Sequence, residues 1–247
     1  APHLRRKTGW SPDFGPGDLL VADLCTDWVA SRDGEQHCLV MKDMATGLLW
    51  VRALKTKIPD GIRQGLNEFR ESLLSFREYL GLSAPNRPFI LHTDKGGEFE
   101  AALVTDYVSQ QGGCVRTAPK GAHVSYAEQA VREVLQGTRV SLYAAGLSAT
   151  FWPYAARQHV FNMNCDVPSY REFLRSTGRP HEKRVFGRLI WFKPDEKTPK
   201  GTPTTVPGCF LGHDYEMRQG VWAMYLKGGH LKGNNMKNVG ITSVPVG

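Results

Sequence analysis

Three features of this 247-residue chain predict an α/β fold, a mixed five-stranded sheet with flanking helices followed by a small β-rich module. The first is the order of apolar patterns from Asp18 to Asn164, where three strand-like runs precede alternating helical and strand-like segments. The second is composition: 41% apolar and 10% aromatic residues against 22% charged supply a core and exclude a disordered chain. The third is a change beyond residue 180 to short runs broken by Pro, Gly and Lys, the pattern of a small β-module, an incomplete SH3-like barrel being one form.

In chain order, residues 1–17 are basic and rich in Pro and Gly, and read as a linker arriving from something upstream. Leu19 to Cys25 is an apolar run carrying one carboxylate, as a buried strand would. His37 to Met44 and Leu48 to Leu54 flank a turn at Ala45-Thr46-Gly47 and form a hairpin beside it. A helix enters through Pro59, with Ile62, Leu66, Phe69, Leu73, Phe76 and Leu80 spaced by threes and fours until Gly81. Pro88 to Asp94 is the fourth strand, and Lys95-Gly96-Gly97 turns the chain into a helix carrying Phe99, Leu103 and Tyr107. Cys114 to Ala118 is the fifth strand, and a long helix starts near Ser125. The order β-β-β-α-β-α-β-α is that of an RNase H-like sheet, in which two parallel strands are added through right-handed helical crossovers.

A further helix runs from Ser148 to about Asn162, and residues 165–183 read as a connector. The module, 184–247, holds strand-like runs at Val185–Pro194, Thr204–Gly212 and Gly220–Lys227. Trp191 and Phe192 read there as core, or with Arg184, Arg188 and Lys193 as a DNA platform.

Lys and Arg number 31 against 24 Asp and Glu, a net charge of +7 that favours polyanionic partners, nucleic acid first. No run approaches the ~18 apolar residues of a membrane span, and residues 1–16 lack a signal-peptide core, so an intracellular protein with no membrane contact is expected. Five cysteines (Cys25, Cys38, Cys114, Cys165, Cys209) form no CxxC pair and read as buried, reduced thiols. Cys209 and His213 have the spacing of half a zinc site and no second pair.

Asp23 sits inside an apolar strand, where its charge needs a cation or hydrogen bonds. Asp94 ends the fourth strand, which in this topology is the parallel neighbour of the first. Glu128, Val131, Leu135, Thr138 and Leu142 fall on one stripe of the long helix, which aims the glutamate at the sheet. Converging carboxylates offer hard oxygen donors, suited to Mg²⁺ or Mn²⁺ and, as a pair of ions ~3.5–4 Å apart, to in-line attack on phosphorus. Other readings stay open. Ser125-x-x-Glu128 is also a capping box, Asp23 could pair with one cation, Asp94 could serve the turn alone, and Asp27 is the competing first acid.

Val21-Ala22-Asp23-Leu24-Cys25, His92-Thr93-Asp94-Lys95-Gly96-Gly97-Glu98-Phe99, Glu128 through Thr138-Arg139, Ala145-Gly146-Leu147 and Phe151-Trp152 together resemble the integrase of Copia-type LTR retrotransposons. The resemblance covers about residues 18–164, and 33 residues separate Asp94 from Glu128, near the D,D-35-E interval of retroviral integrases. Arg184-Val185-Phe186-Gly187 and Gly208-Cys209-Phe210-Leu211-Gly212 extend it weakly past residue 225. It implies that Asp23, Asp94 and Glu128 form a catalytic, metal-binding triad for two Mg²⁺ or Mn²⁺ ions. The reaction implied is 3′-end processing followed by transfer of element DNA ends into target DNA. It further implies a homo-oligomer that works in the nucleus after a cytoplasmic particle stage. The chain departs from the family where Lys120-Gly121-Ala122-His123-Val124 replaces a Pro-Gln-Gln-Asn-Gly-like stretch, and where Val131 stands for the usual Asn. The HHCC zinc module that normally precedes the core does not appear.

Lys95, Lys120, His123 and Arg132 are the nearest phosphate-neutralising candidates in sequence. An RNase H-like nuclease would use the same acids without strand transfer, and a diverged, non-catalytic DNA-binding domain of a domesticated or decayed element would not need all three.

Overall fold

The computed structural model describes residues 14–26, 28–83, 85, 88–94, 96–118, 125–192, 205–214, 220–226 and 239–245. The chain divides into two compact units within its longest carboxy-proximal helix, after Leu135.

The first unit is a five-stranded sheet in the order β3-β2-β1-β4-β5. Strands β1 (Leu19–Cys25), β2 (His37–Asp43) and β3 (Leu49–Leu54) are antiparallel, whereas β4 (Ile90–Thr93) and β5 (Cys114–Thr117) are added in parallel. This is the predicted RNase H-like order. The long helix α1 (Pro59–Tyr79) crosses one face, burying Ile62, Leu66, Phe69, Leu73 and Phe76. It approaches the sheet closely at Gly65, where a Cβ would lie 3.0 Å from Leu39 and 3.1 Å from Trp50. Leu80, expected on that stripe, caps the helix and is exposed, because the chain turns away at Gly81 with φ +67°.

The helix expected after Asp94 is broken in two, α2 (Gly97–Glu100) and α3 (Ala102–Gln110). The break at Ala101, in extended conformation, shifts the periodicity, so Val104, Tyr107 and Val108 are buried while Leu103 points to solvent. Helix α4 (Ser125–Ala145) buries Ala127, Ala130, Val134, Thr138 and Leu142. The predicted stripe is thus rotated by about one position over the first three turns: Glu128, Val131 and Leu135 lie on its half-buried flank.

The amino-terminal ends of the parallel strands are tied by buried polar groups. Asp18 and Arg77 form an ion pair at 2.6 Å with both side chains at least nine-tenths buried. Asp43, wholly buried, accepts hydrogen bonds from Gly17 N (3.0 Å), Thr46 N (2.9 Å) and Thr46 Oγ1 (2.6 Å). These bonds hold the β2–β3 turn against the entry to β1.

In the second unit, α4 ends at Gly146 (φ +62°), and a single 3₁₀ turn at Ala149–Phe151 leads into α5 (Trp152–Asn164). The expected connector contains a helix, α6 (Pro168–Ser176), which buries only Phe173 and Leu174; two apolar anchors are too few to show as a periodic pattern. The module is a four-stranded antiparallel sheet, β6 (Leu189–Phe192), β7 (Val206–Asp214), β8 (Gly220–Leu226) and β9 (Val239–Pro245). One more strand forms than the sequence indicated, and β6 is shorter. Phe192, Phe210, Val221, Ala223 and Tyr225 make its core. Trp191, read as core or platform, is 67% exposed, since alternation along β6 sends it to the face opposite Phe192. Lys193 lies outside the described residues.

His213 is buried between the rings of Phe161 and Phe210, at 4.5 and 5.4 Å, and its Nε2 lies 3.3 Å from the Glu182 carbonyl. Burial, reinforced by the charge of Arg184, lowers its pKa to about 4, so it is neutral at physiological pH. The cysteines are only partly as expected: Cys38 and Cys165 are buried, Cys25 and Cys209 half-buried, and Cys114 exposed.

Candidate active site

The parallel register of β1 and β4 runs Leu19 with Ile90 through Ala22 with Thr93. One further step sets Asp23 beside Asp94, at the carboxyl ends of neighbouring strands ~4.8 Å apart. Such strand ends are where open α/β sheets bind ligands. Asp94 is exposed, and its carbonyl accepts the Thr93 hydroxyl at 2.9 Å.

The same alternation puts Asp23 on the face of β1 that carries Val21 and Cys25. On that face, Val21 packs with Ala118 and Ala127, and Tyr126 and Met44 pack against the cluster. Ala127 is therefore the anchor that brings the first turn of α4 to β1, and Glu128 is the next residue. The glutamate reaches the site from the edge of the buried stripe.

Electrostatics connect these carboxylates. Burial pushes the Asp23 carboxyl above its ordinary value, and the charge of Asp94 pushes the same way. A hydrogen bond from the Leu24 N–H to Asp23 Oδ1, 2.7 Å, opposes them, while Glu128 and Glu98 add to the rise. The structure thus brings Asp23, Asp94 and Glu128 into one field. Among the described residues, however, no three His, Cys, Asp or Glu side chains close into a preformed metal cage.

Glu98 is the acid that the sequence reading did not assign. Its carboxylate folds over the Cα of Gly96, where a Cβ would meet Cδ and Oε2 at 3.1 Å. The signal available in sequence was the position itself, four residues after Asp94 in Asp-x-Gly-Gly-Glu. Arg116 was likewise unassigned: it pairs in register with His92 on exposed edge strand β5, and so shares the face of the acids. Burial and the Arg116 charge lower the His92 pKa.

Of the proposed phosphate contacts, Arg132 is exposed on α4, while Lys95, Lys120 and His123 lie outside the described residues, as does Asp27. The Ser125 side chain of the alternative capping box lies outside them as well.

The donor set fits a hard divalent cation. Burial, together with the charges of Asp94, Glu128 and Glu98, disfavours ionisation of Asp23, and a cation among these carboxylates would relieve the charge repulsion.

Fold and site together define an RNase H-like α/β domain with an acidic cluster at the ends of its parallel strands. The chain is similar to retrovirus-related Pol polyproteins from plant transposons. The Pol polyprotein from transposon RE1 of Arabidopsis thaliana is 25% identical over 190 residues, 72% of this chain and 12% of that protein. That from transposon TNT 1-94 of Nicotiana tabacum is 27% identical over 217 residues, 83% of this chain and 16% of the relative. The chain therefore spans less than a fifth of the polyproteins it matches. No family model matches. Among solved structures, the catalytic core domain of BIV integrase aligns with 65% of this chain and 96% of its own, at 14% identity and a TM-score of 0.45. The HTLV-2 integrase catalytic core domain, solved with magnesium in a trimeric form, aligns with 61% of this chain and 86% of its own, at 14% identity and a TM-score of 0.41.

Proposed function

We propose that this chain is the catalytic part of a retrotransposon integrase that carries out 3′-processing and strand transfer of element DNA ends into target DNA. The observation that carries this reading is the coupling of Asp23 to Asp94 and Glu128 at the ends of β1 and β4. Similarity to Pol polyproteins supports it.

In this reading Asp23 and Asp94 bind from the sheet and Glu128 from α4, with all three required ionised. Divalent Mg²⁺ or Mn²⁺, two ions per site, supplies Lewis acidity for displacement at phosphorus. The protein holds the DNA backbone beside the acids: Arg132 and Arg116 from the described residues, with Lys95, Lys120 and His123, offset phosphate charge. Glu98 adds negative potential without being one of the three. A second copy of the chain is the expected partner, bridging two DNA ends, and the place of action is the nucleus.

The test is strand transfer with short labelled duplex ends and Mn²⁺, comparing the chain, joined to any upstream domain, with Asp94→Asn. Products that require Asp94 support the reading, and equal background in both overturns it. Cleavage of an RNA–DNA hybrid without joining would identify a nuclease instead. Salt-sensitive DNA binding with no metal-dependent stabilisation would identify a non-catalytic DNA-binding domain.

A further inference from the structure

We infer that Cys25 and Cys38 form an intramolecular disulfide site, a dithiol that closes across the β1–β2 ladder when a disulfide oxidant reaches it. The two residues are directly opposed in the antiparallel register, so their side chains leave the same face of the sheet. Opposed Cα atoms in such a ladder lie about 4.5 or 5.5 Å apart, depending on whether the position is hydrogen-bonded. Both values fall inside the ~4.4–6.8 Å that a disulfide spans. No strand movement is needed.

Both residues are thiols in this structure, and their exposure differs: Cys25 is half-buried and Cys38 fully buried. That difference sets the order of events. With oxidised glutathione, the Cys25 thiolate attacks one sulfur, the glutathione S–S bond breaks, and one glutathione leaves as thiolate. The Cys38 thiolate then attacks the Cys25 sulfur of the mixed disulfide, and the second glutathione leaves. Two electrons pass from the protein thiols to the oxidant, and the two protons lost by the protein are taken up by the departing glutathiones.

None of the other cysteines has this relation: Cys114 pairs with Ile90, Cys209 with Leu189 and Met224, and Cys165 caps α5. The position has a consequence. Cys25 is the next residue after Asp23 on the same face of β1, so the bond would tether the strand end that carries the acid to β2. The inference rests on register alone and stands whether or not the acids are catalytic.

The test treats the reduced, folded full chain with oxidised glutathione, blocks remaining thiols by alkylation, and maps linked peptides by mass spectrometry. The expected main product has lost two hydrogens and joins Cys25 to Cys38, while Cys38→Ser stops at a glutathione adduct on Cys25. In denaturant the same treatment should scatter links among the five cysteines. A native protein that keeps the Cys25 adduct with Cys38 unlinked, or that links another pair first, overturns the inference. The wild-type peptide map decides the matter even where the variant fails to fold.

Discussion

Replacing Asp43 by Asn tests whether the buried turn that anchors β1 carries an ionised carboxylate at a cost. Burial raises the Asp43 pKa from 3.8 to about 6, against the pull of three hydrogen bonds from Thr46 and Gly17. A carboxyl whose folded pKa exceeds its unfolded value binds more protons when folded, so stability falls as pH rises from 3.8 to 6. The difference of 6 − 3.8, or 2.2 pKa units at 1.36 kcal/mol each, is about 3 kcal/mol lost between pH 4 and pH 7. Asn cannot titrate, and it has one oxygen where the carboxylate has two. Either Gly17 N or the Thr46 pair then faces an NH₂ group, an unsatisfied buried donor worth ~1–3 kcal/mol. At pH 4 the variant should therefore be the less stable protein, and near pH 7 the removed charge should offset most of that deficit. Urea unfolding of both proteins from pH 4 to 7 reads the difference directly, and in thermal scans 3 kcal/mol corresponds to roughly 6–12 °C. A wild-type-minus-variant difference that stays constant across this range would refute the reasoning, because other titrating groups are common to both chains.

Removing negative neighbours should let Asp23 ionise more easily: Asp94→Asn should lower its pKa more than Glu98→Gln, as carboxyl NMR titrations would show, and no change in either would dissolve the proposed cluster. Gly137 lies directly under the His159 ring, so Gly137→Ala should destabilise the second unit by ~1–3 kcal/mol, measured by denaturation, unless the ring swings aside freely. His213 runs opposite to Asp43. Its folded pKa of about 4 lies below the ordinary 6.5, so the unfolded state binds more protons between those values and stability is lost as pH falls through that window, by about 3 kcal/mol. His213→Leu should abolish that acid lability in β7, read by amide exchange against pH. Phe99 is fully buried in α2, and Phe99→Ala should cost ~3–5 kcal/mol in unfolding measurements.

The sheet was legible because its strands are bounded by strong local signals. An apolar run with a carboxylate near its end, a Thr-Gly turn and a helix closed by Gly81 each need only neighbours to be read. Where long-range packing decides, sequence pattern misled. Leu103 fitted a helical period that Ala101 interrupts, and Trp191 is apolar yet alternation turns it outward. In α4 the glutamate was assigned to the centre of a stripe, whereas small residues, Ala127 and Ala130, occupy it. Alanine carries little hydrophobic signal, yet it is what allows a helix to sit close against β1. The acids Asp23, Asp94 and Glu128 could be named from order alone, but Glu98 could not, since its place depends on a side chain folding back over a glycine.

The two ends of β1 differ in the partners given to their carboxylates, and that difference bears on where a cation would bind. At the amino end, Asp18 pairs with Arg77 and Asp43 accepts three hydrogen bonds, which offset part of the cost of burying it. At the carboxyl end, Asp23 receives one backbone N–H, and burial with three further carboxylates raises its pKa. Like charges gathered without a cation oppose folding, so the carboxyl end of β1 is where a bound divalent cation would add stability. An arrangement that spends stability on concentrated negative charge is one that gains it back when a divalent cation binds. Stability of the first unit should therefore rise with Mn²⁺ in the wild type and much less in Asp23→Asn. Equal stabilisation of both would mean that the ion binds somewhere other than the ends of β1 and β4.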